Sequence, residues 1–296
     1  MLNGIKVKLE IMKKIFTILM VAGAVLAFAA CSEKEDNGAD LSEFLEKHKD
    51  DEPSIDKSTF AYFLSVGKDF KIKCEQIGSV PAIGDCSVAQ GAVGNGNNAY
   101  LALKDAGDTK TIIVQYTISP FQLVAQSAPF NGQHSNDLAY CDPENMILVS
   151  HSSGSAMTSI DASTLKVIKE NFNCGINNSA VSYNAKRDRY AYTGGKAINI
   201  STRDFVLENK YDRSDATGYT TQGMGSDNEY LYFPMSTSGG NKMVIYNWEG
   251  KLIKIIDIPV TIEAETMFVT GGKYYLSCFA GGSKKGAVLY RISPVE

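Results

Sequence analysis

The chain has few of the residues on which common catalytic and metal centres depend. Its 296 residues include three histidines, one tryptophan and eight prolines. The sequence contains no His-Glu-x-x-His, no Cys-x-x-Cys and no Gly-x-Ser-x-Gly, which excludes the usual zinc-protease, paired-thiolate and serine-hydrolase motifs. Gly94-Asn-Gly96 lacks the third glycine and the following helix of a dinucleotide site, so it predicts a turn between strands.

Positive charge is also scarce. The chain carries 29 basic and 33 acidic residues, for a net charge of −4. Residues 1–30 contain four lysines and one glutamate, so their removal takes the net charge to −7. No basic run with interleaved aromatic residues is present. We therefore expect no nucleic-acid partner, because such partners require a positively charged surface.

No apolar segment is long enough for a membrane-spanning helix, which needs about 20 residues. The longest, Ile15–Ala30, has 16 residues and follows Met12-Lys13-Lys14. This arrangement predicts a signal peptide at residues 1–30 and a translation start at Met12. Phe28-Ala-Ala-Cys31 then resembles the lipobox of bacterial lipoproteins, although Phe28 replaces the usual leucine. The resemblance implies that Cys31 is lipidated; an ordinary cleaved signal with a chance cysteine is the alternative.

Residues 31–57 are rich in charge and predict a flexible tether between the lipid and a folded domain. A short helix at Leu41–His48 is expected within it. The acidic segment Ser32–Asn37 resembles the surface-export signal of Bacteroides-type lipoproteins. That resemblance implies a cell-surface lipoprotein of the outer membrane, whereas a solvated spacer is the alternative.

Glycine, tyrosine and phenylalanine are by contrast abundant, at 26, 15 and 13 residues. They accompany a repeat whose units begin every 42 to 45 residues, at Gly91, Asn136, Asn178, Gly223 and Glu265. Each unit contains four short segments of strand character separated by turn residues. In the second unit these segments are Asn136–Cys141, Met146–Ser150, Met157–Ile160 and Leu165–Lys169.

Four strands in a repeat of this length predict one blade of a β-propeller. The chain is therefore expected to be an all-β, five-bladed propeller over residues 58–296, with a sixth blade within residues 58–80 as the alternative. The fifth repeat stops after its third strand, Ala287–Ile292. Phe70–Ile77 alternates as an outer strand should, and we expect it to close the ring by completing the last blade.

The repeats at residues 84–293 resemble those of secreted bacterial propeller proteins of the YVTN, NHL and TolB-like group, and specifically Bacteroides-type propeller lipoproteins. The resemblance covers about 70% of the chain. It implies a fold and a monomeric, anchored protein, and it names no substrate.

The first strand of each propeller blade lines the central channel, so polar residues near these strand starts should meet at one mouth. These ligand-binding candidates are Gln90, His134, Asn136, Asp137, Asn178, Gln222, Glu263 and Glu265. They predict a site for a small polar ligand or glycan. The alternative is that they only tie down loops between blades, with Gly91 and Gly223 permitting tight turns.

Two of these residues are also candidates for catalysis. His134 and Glu265 could exchange protons in a metal-assisted lyase or lactonase, and the surrounding oxygen atoms could hold Ca²⁺ or Mg²⁺. His151, at the end of a second strand, is expected at the surface. The absence of a catalytic motif favours a binding module, with an envelope protein as another partner class. A purely structural interaction protein is the third hypothesis.

Five cysteines follow Cys31, so at least one thiol should be free. Cys74 and Cys86 flank the expected closure and could form a disulfide. Cys141 and Cys278 lie in strand patterns and are expected to be buried as apolar residues.

Overall fold

Five antiparallel sheets form nearly all of the regular structure. The computed structural model describes residues 56–152, 154–215, 218–237, 239–282 and 285–296. Within these residues the sheets are the five blades of a β-propeller, and there is no sixth blade. The predicted five-bladed, all-β fold is confirmed. The lipobox, Cys31 and the predicted helix at Leu41–His48 lie outside the described residues.

The described chain begins with helix α1, Phe60–Ser65, and strand β1, Lys71–Val80. The first blade contains β2 to β5, at Val88–Asn95, Asn98–Lys104, Thr111–Thr117 and Gln122–Gln126. The second contains β6 to β9, at Asp137–Cys141, Met146–Ser150, Ala156–Asp161 and Val167–Asn173, with a 3₁₀ turn at Asp142–Glu144. The third contains β10 to β13, at Ala180–Asn184, Arg189–Gly194, Ala197–Ser201 and Leu207–Asp212.

The fourth blade has an interrupted inner strand. Its two pieces, β14 at Thr220–Thr221 and β15 at Gly225–Ser226, both pair with the next strand. The rest of that blade is β16 to β18, at Tyr230–Thr237, Gly240–Asn247 and Leu252–Ile258. The fifth blade contains β19 to β21, at Glu263–Thr270, Lys273–Phe279 and Ala287–Val295.

Strand β1 closes the ring as the outer strand of the fifth blade, as predicted. It pairs antiparallel with β21 from Lys71 opposite Val295 to Val80 opposite Ala287. The blade therefore joins the two ends of the described chain, and β21 has no open edge.

The hydrophobic core is divided into five clusters, one between each pair of neighbouring blades. This division follows from strand alternation, because each sheet packs one face against the blade before it and the other against the blade after it. Helix α1 adds to the cluster between the fourth and fifth blades. Its Phe60 ring lies 4.9 Å from the Tyr274 ring and 5.6 Å from the Phe70 ring, measured between centroids.

The five described cysteines are free thiols, so the predicted Cys74–Cys86 disulfide is wrong. The two residues lie in different core clusters: Cys74 packs between blades four and five, and Cys86 between blades five and one. The fifth-blade sheet separates them. Cys141 and Cys278 are fully buried, as predicted. Among the described residues, no helix has the length and apolarity needed to cross a membrane.

Candidate functional site

The five inner strands surround the central channel and give it two distinct ends. We call the end where these strands begin the amino end, and the end where they finish the carboxyl end. The sequence-based candidates belong to the amino end, and they differ in burial and in hydrogen bonding.

Asp137 lies at the centre of the propeller and is fully buried. Its Oδ2 accepts hydrogen bonds from the backbone N–H groups of Val181 (3.1 Å) and Met224 (2.8 Å), and its Oδ1 lies 2.7 Å from the Thr266 hydroxyl. These partners belong to the third, fourth and fifth blades, so one side chain of the second blade connects four blades. Asp137 is therefore part of the internal structure of the channel.

Burial raises the pKa of Asp137 to about 8, although its hydrogen bonds act in the opposite direction. The geometry suits a protonated carboxyl group. Its Oδ1–H can donate to Thr266 while Oδ2 accepts both backbone N–H groups, so no partner is lost on protonation.

The first, fourth and fifth blades depart from regular pairing in this part of the channel. The β2–β3 register shifts between Ala89 and Ala92, and the β19–β20 register shifts between Ala264 and Thr266. The inner strand of the fourth blade is interrupted between Thr221 and Gly225. The residues released from regular pairing include the two Gln-Gly pairs and Glu265. β-Bulges of this kind redirect side chains and bend the strand.

Gly91 and Gly223 are required by close approach of neighbouring inner strands. A Cβ atom at Gly91 would overlap the backbone of Asp137, and one at Gly223 would lie 2.7 Å from the carbonyl oxygen of Glu265. Neither glycine has a positive φ. The expected tight-turn role of these glycines is therefore wrong; their lack of a side chain permits inter-blade contact.

Asn136 and Asn178 are buried and use their amide groups within the protein. Asn136 Nδ2 donates to the carbonyl oxygens of Ser179 (2.5 Å) and Gln222 (2.6 Å), in the third and fourth blades. Asn178 Nδ2 donates to the carbonyl oxygen of Ile176 at 3.0 Å. The Oδ1 of Asn178 has no hydrogen-bond partner among the described residues.

Gln222 and Glu263 form the more exposed part of the amino end. Gln222 Nε2 donates to Glu263 Oε1 at 2.6 Å, which joins the fourth and fifth blades. Gln90 is buried, and its Nε2 donates to the adjacent carbonyl oxygen of Ala89 at 2.8 Å.

Glu265 is the exception among these internally bonded residues. Its side chain is 2% exposed, and no hydrogen bond from the described residues reaches its carboxyl group. Burial raises its pKa well above the usual range; the negative charge of Glu263 adds to this effect and the positive charge of Lys104 opposes it. A buried neutral carboxyl group can donate its proton, so Glu265 has the chemistry of a general acid.

His134 does not complete an acid–base pair with Glu265 in any described contact. Its Nδ1 lies 3.2 Å from Asp108 Oδ1, and Asp108 also pairs with Lys104 at 2.6 Å. His134 thus bonds across the junction of the first and second blades. His151 was expected at the surface, but it is fully buried: its Nδ1 lies 2.6 Å from the carbonyl oxygen of Gly132, and burial lowers its pKa.

A metal centre receives no support from side-chain grouping. Among the described residues there is no group of three or more His, Cys, Asp or Glu side chains that could hold an ion. The candidate oxygen atoms of Asn136 and Asp137 belong to side chains already bonded to other blades.

The carboxyl end contains a cavity of about 600 Å³. Residues of all five inner strands line it. They include Val93, Leu138, Ser182, Ser226 and Met267. Leu138 and Met224 line this cavity, and both lie next to Asp137. Leu138 follows Asp137 in the chain, and the backbone N–H of Met224 donates to the Asp137 carboxyl group. The central carboxyl group therefore lies directly behind the cavity floor.

Asp227 organises one wall of the cavity. Its Oδ2 accepts from the hydroxyls of Tyr232 (2.5 Å) and Tyr274 (2.8 Å), and its Oδ1 accepts from two backbone N–H groups of its own turn. Tyr232 is 1% exposed, which leaves it no face for stacking on a ligand. The wall is therefore preformed by internal hydrogen bonds.

Sequence reasoning missed this cavity because its deeper residues are apolar. Leu138, Met224 and Met267 occur where a propeller core residue would also occur, and their orientation depends on the packing of neighbouring blades. The available signal was indirect: the end of every inner strand is followed by a turn with Gly, Asn or Asp.

Comparisons with known proteins bear on the fold. No family model matches the chain, and no curated protein matches it. Among solved structures, Myxococcus xanthus glutaminyl cyclase is similar with a TM-score of 0.52 at 12% identity, covering 77% of this chain and 100% of that chain. The calcium-binding protein regucalcin from Agrobacterium tumefaciens gives a TM-score of 0.44 at 9% identity, covering 76% and 95%.

A third similar structure is virginiamycin B lyase from Staphylococcus aureus, with a TM-score of 0.40 at 10% identity, covering 70% of this chain and 66% of that chain. These neighbours are β-propeller proteins, and their number includes enzymes. At such identities the likeness concerns the fold alone.

Proposed function

We propose that the protein is a lipid-anchored propeller that binds a small ligand in the carboxyl-end cavity. One observation carries the binding proposal: the cavity measures about 600 Å³ and is lined by all five inner strands. Small-molecule pockets usually measure about 300–1,000 Å³ and are largely preformed. The amino end offers less room for a ligand, because most of its predicted site residues are buried and bonded to the protein.

A screen for ligands that stabilise the protein against unfolding tests the binding proposal. Polar metabolites and glycans would be added to the full chain, and ligand at 100 times Kd should raise the free energy of unfolding by about 2.7 kcal/mol. The variant Ser226→Trp fills the cavity with a large side chain. Ser163→Trp is the matched control, since Ser163 lies in an exposed turn of the second blade.

We expect stabilising ligands to act on the wild type and on Ser163→Trp, and to lose their effect on Ser226→Trp. Stabilisation that persists in the cavity-filled variant would place binding elsewhere. If no ligand of any class stabilises the wild type, the third hypothesis, a purely structural interaction protein, replaces the binding proposal.

The anchoring proposal rests on Phe28-Ala-Ala-Cys31 and the acidic segment after it. Two acyl chains supply the two signals that stable membrane anchoring needs. We therefore propose an outer-membrane, surface-exposed and monomeric lipoprotein. Labelled palmitate should enter the wild type, while Cys31→Ala should be found in the soluble fraction. A wild-type chain without label would contradict lipidation, and label without protease access in intact cells would contradict surface exposure.

Acid–base catalysis at the amino end is a second candidate function, because Glu265 is a buried carboxyl group without a hydrogen-bond partner among the described residues. A lyase or lactonase would use such a group as a proton donor. Turnover of a lactone panel, with and without added Ca²⁺ or Mg²⁺, should then disappear in Glu265→Gln and survive in His134→Ala. Equal turnover by Glu265→Gln and wild type would dismiss this candidate.

A further inference from the structure

The carboxyl-end cavity has its charged groups at the rim and none in its deeper part. The acidic and basic side chains that line it are Asp142, Lys186, Asp227 and Glu229. All four lie in the turns that follow inner strands. Three are acidic and one is basic, so the rim is net negative.

None of these groups is placed to neutralise a charge deep in the cavity. Asp227 already accepts four hydrogen bonds, two of them from tyrosine hydroxyls. Asp142, Lys186 and Glu229 are exposed to solvent. A ligand carboxylate or phosphate placed at the floor would therefore lose its hydration without gaining a cation, and an unpaired buried charge is strongly unfavourable.

The cavity offers both apolar groups and hydroxyls. Val93, Tyr140 and Val269 are partly exposed and provide apolar surface, whereas Leu138, Met224 and Met267 are almost fully buried behind it. The hydroxyls of Ser182 and Ser226 lie 2.8 Å apart, on the inner strands of the third and fourth blades. In such a pair one hydroxyl donates to the other, which leaves one donor and further acceptor positions for a ligand.

We infer that the cavity binds an uncharged, polyhydroxylated ring, of which a neutral saccharide residue is the representative. A sugar ring presents C–H groups on one face and hydroxyls around its edge. The C–H groups match the apolar surface of Val93, Tyr140 and Val269, and the hydroxyls match the serine pair and the amide of Asn95 at the rim. This inference rests on the proposed function, since it assigns a ligand class to the same cavity.

The test compares sugars that differ in charge. The full chain is titrated calorimetrically with glucose, galactose and N-acetylglucosamine, with glucuronic and galacturonic acids, and with glucosamine and galactosamine. We expect a neutral sugar to bind at least tenfold more tightly than its acidic counterpart. Ser182→Ala and Ser226→Ala should each weaken that binding about two- to tenfold, because each removes one hydrogen-bonding hydroxyl. Ser163→Ala, in the exposed turn, should bind as wild type.

A rim variant checks the source of the discrimination. Asp142→Lys with Glu229→Lys makes the rim positive and should improve binding of the acidic sugars relative to the neutral ones. Because both residues are exposed, this variant should fold as wild type.

Two results would overturn the saccharide inference. One is an acidic or amino sugar that binds as tightly as its neutral counterpart, and the other is a panel in which no sugar binds. If a non-saccharide from the stability screen loses its effect in Ser226→Trp, the proposed cavity function stands while the saccharide assignment fails. If neither screen yields a cavity ligand, both proposals fail.

Discussion

Replacing Asp137 tests whether one buried carboxyl group holds the inner strands together. Asp137→Ala leaves the N–H groups of Val181 and Met224 and the hydroxyl of Thr266 without their partner. An unsatisfied buried polar group costs about 1–3 kcal/mol, so the loss should be about 3–9 kcal/mol. Since domains are stable by about 5–15 kcal/mol, this variant should be close to unfolding at room temperature.

Asp137→Asn should be far milder. The asparagine Oδ1 can accept from both backbone N–H groups while Nδ2 donates to Thr266, which reproduces the hydrogen bonds of a protonated aspartic acid. We expect a loss below about 2 kcal/mol at pH 6, measured by urea unfolding. An asparagine variant as unstable as the alanine variant would show that these hydrogen bonds are not what stabilises the centre.

The stability of the wild type should also depend on pH in a way that the stability of Asp137→Asn does not. The pKa of Asp137 is raised from 3.8 to about 8 on folding, so the folded state holds a proton that the unfolded state has released. Stability from this group is complete below the unfolded pKa and is lost as pH rises through the folded one, by roughly 1.4 kcal/mol per pH unit between about 4 and 8. Asp137→Asn cannot contribute this slope.

Stability should therefore be measured at pH 5, 6, 7 and 8 in wild type and Asp137→Asn, and the difference taken at each pH. His151, whose lowered pKa acts in the opposite direction below about pH 6.5, contributes equally to both proteins and cancels. The wild-type advantage should shrink as pH rises. A difference that does not change with pH would show that Asp137 is ionised in the folded protein, and would refute the protonated arrangement.

Three further substitutions test neighbouring parts of the channel. Gly91→Ala should cost about 1–3 kcal/mol because its Cβ overlaps the Asp137 backbone, whereas Gly107→Ala, whose Cβ meets its nearest atom at 3.4 Å, should cost less by the same urea assay. Glu265→Gln should reduce the fall in stability between pH 5 and 8, because the raised pKa of Glu265 has the same sign as that of Asp137; an unchanged slope would contradict its neutral state. His134→Ala should change stability by less than about 1 kcal/mol, since its side chain is 35% exposed and its partner Asp108 is also paired with Lys104. A larger loss would show that this pair holds the first two blades together.

The blade count, the strand order and the closure by β1 could be predicted because they depend on local patterns. The period of 42 to 45 residues and the alternation within each strand can be recognised in the sequence without knowing how the side chains pack. The role of Asp137 could not be predicted, since an aspartate at a strand start has the same local pattern whether it faces solvent or three other blades. The cavity was hidden for a related reason: whether Leu138 and Met267 fill space or border it depends on how closely five separate strands converge.

Closure by β1 allows a final test in which this strand is first deleted and then supplied from the other end of the chain. Deleting residues 56–80 removes nine residue pairs with β21 and the buried side chains of Phe60, Phe63, Phe70, Ile72 and Val80. At about 1.5–3 kcal/mol for each side chain, the loss is about 8–15 kcal/mol, which is comparable to the whole stability of a domain. The deleted chain should therefore not give a cooperative unfolding transition.

A circular permutant restores the strand from the other end. Lys71 pairs with Val295, and Lys68 contacts Glu296 at 2.6 Å, so a short turn can join residue 296 to residue 68. A chain that begins at Pro81 and ends at Val80 after this turn rebuilds the fifth blade as a continuous sheet. We expect it to unfold cooperatively, with lower stability than wild type because α1 is absent. If the deletion and the permutant were equally stable, pairing with β1 would contribute nothing. If the permutant failed to fold while Phe60→Ala in the wild-type order also unfolded, the contacts of α1 would be what closes the ring.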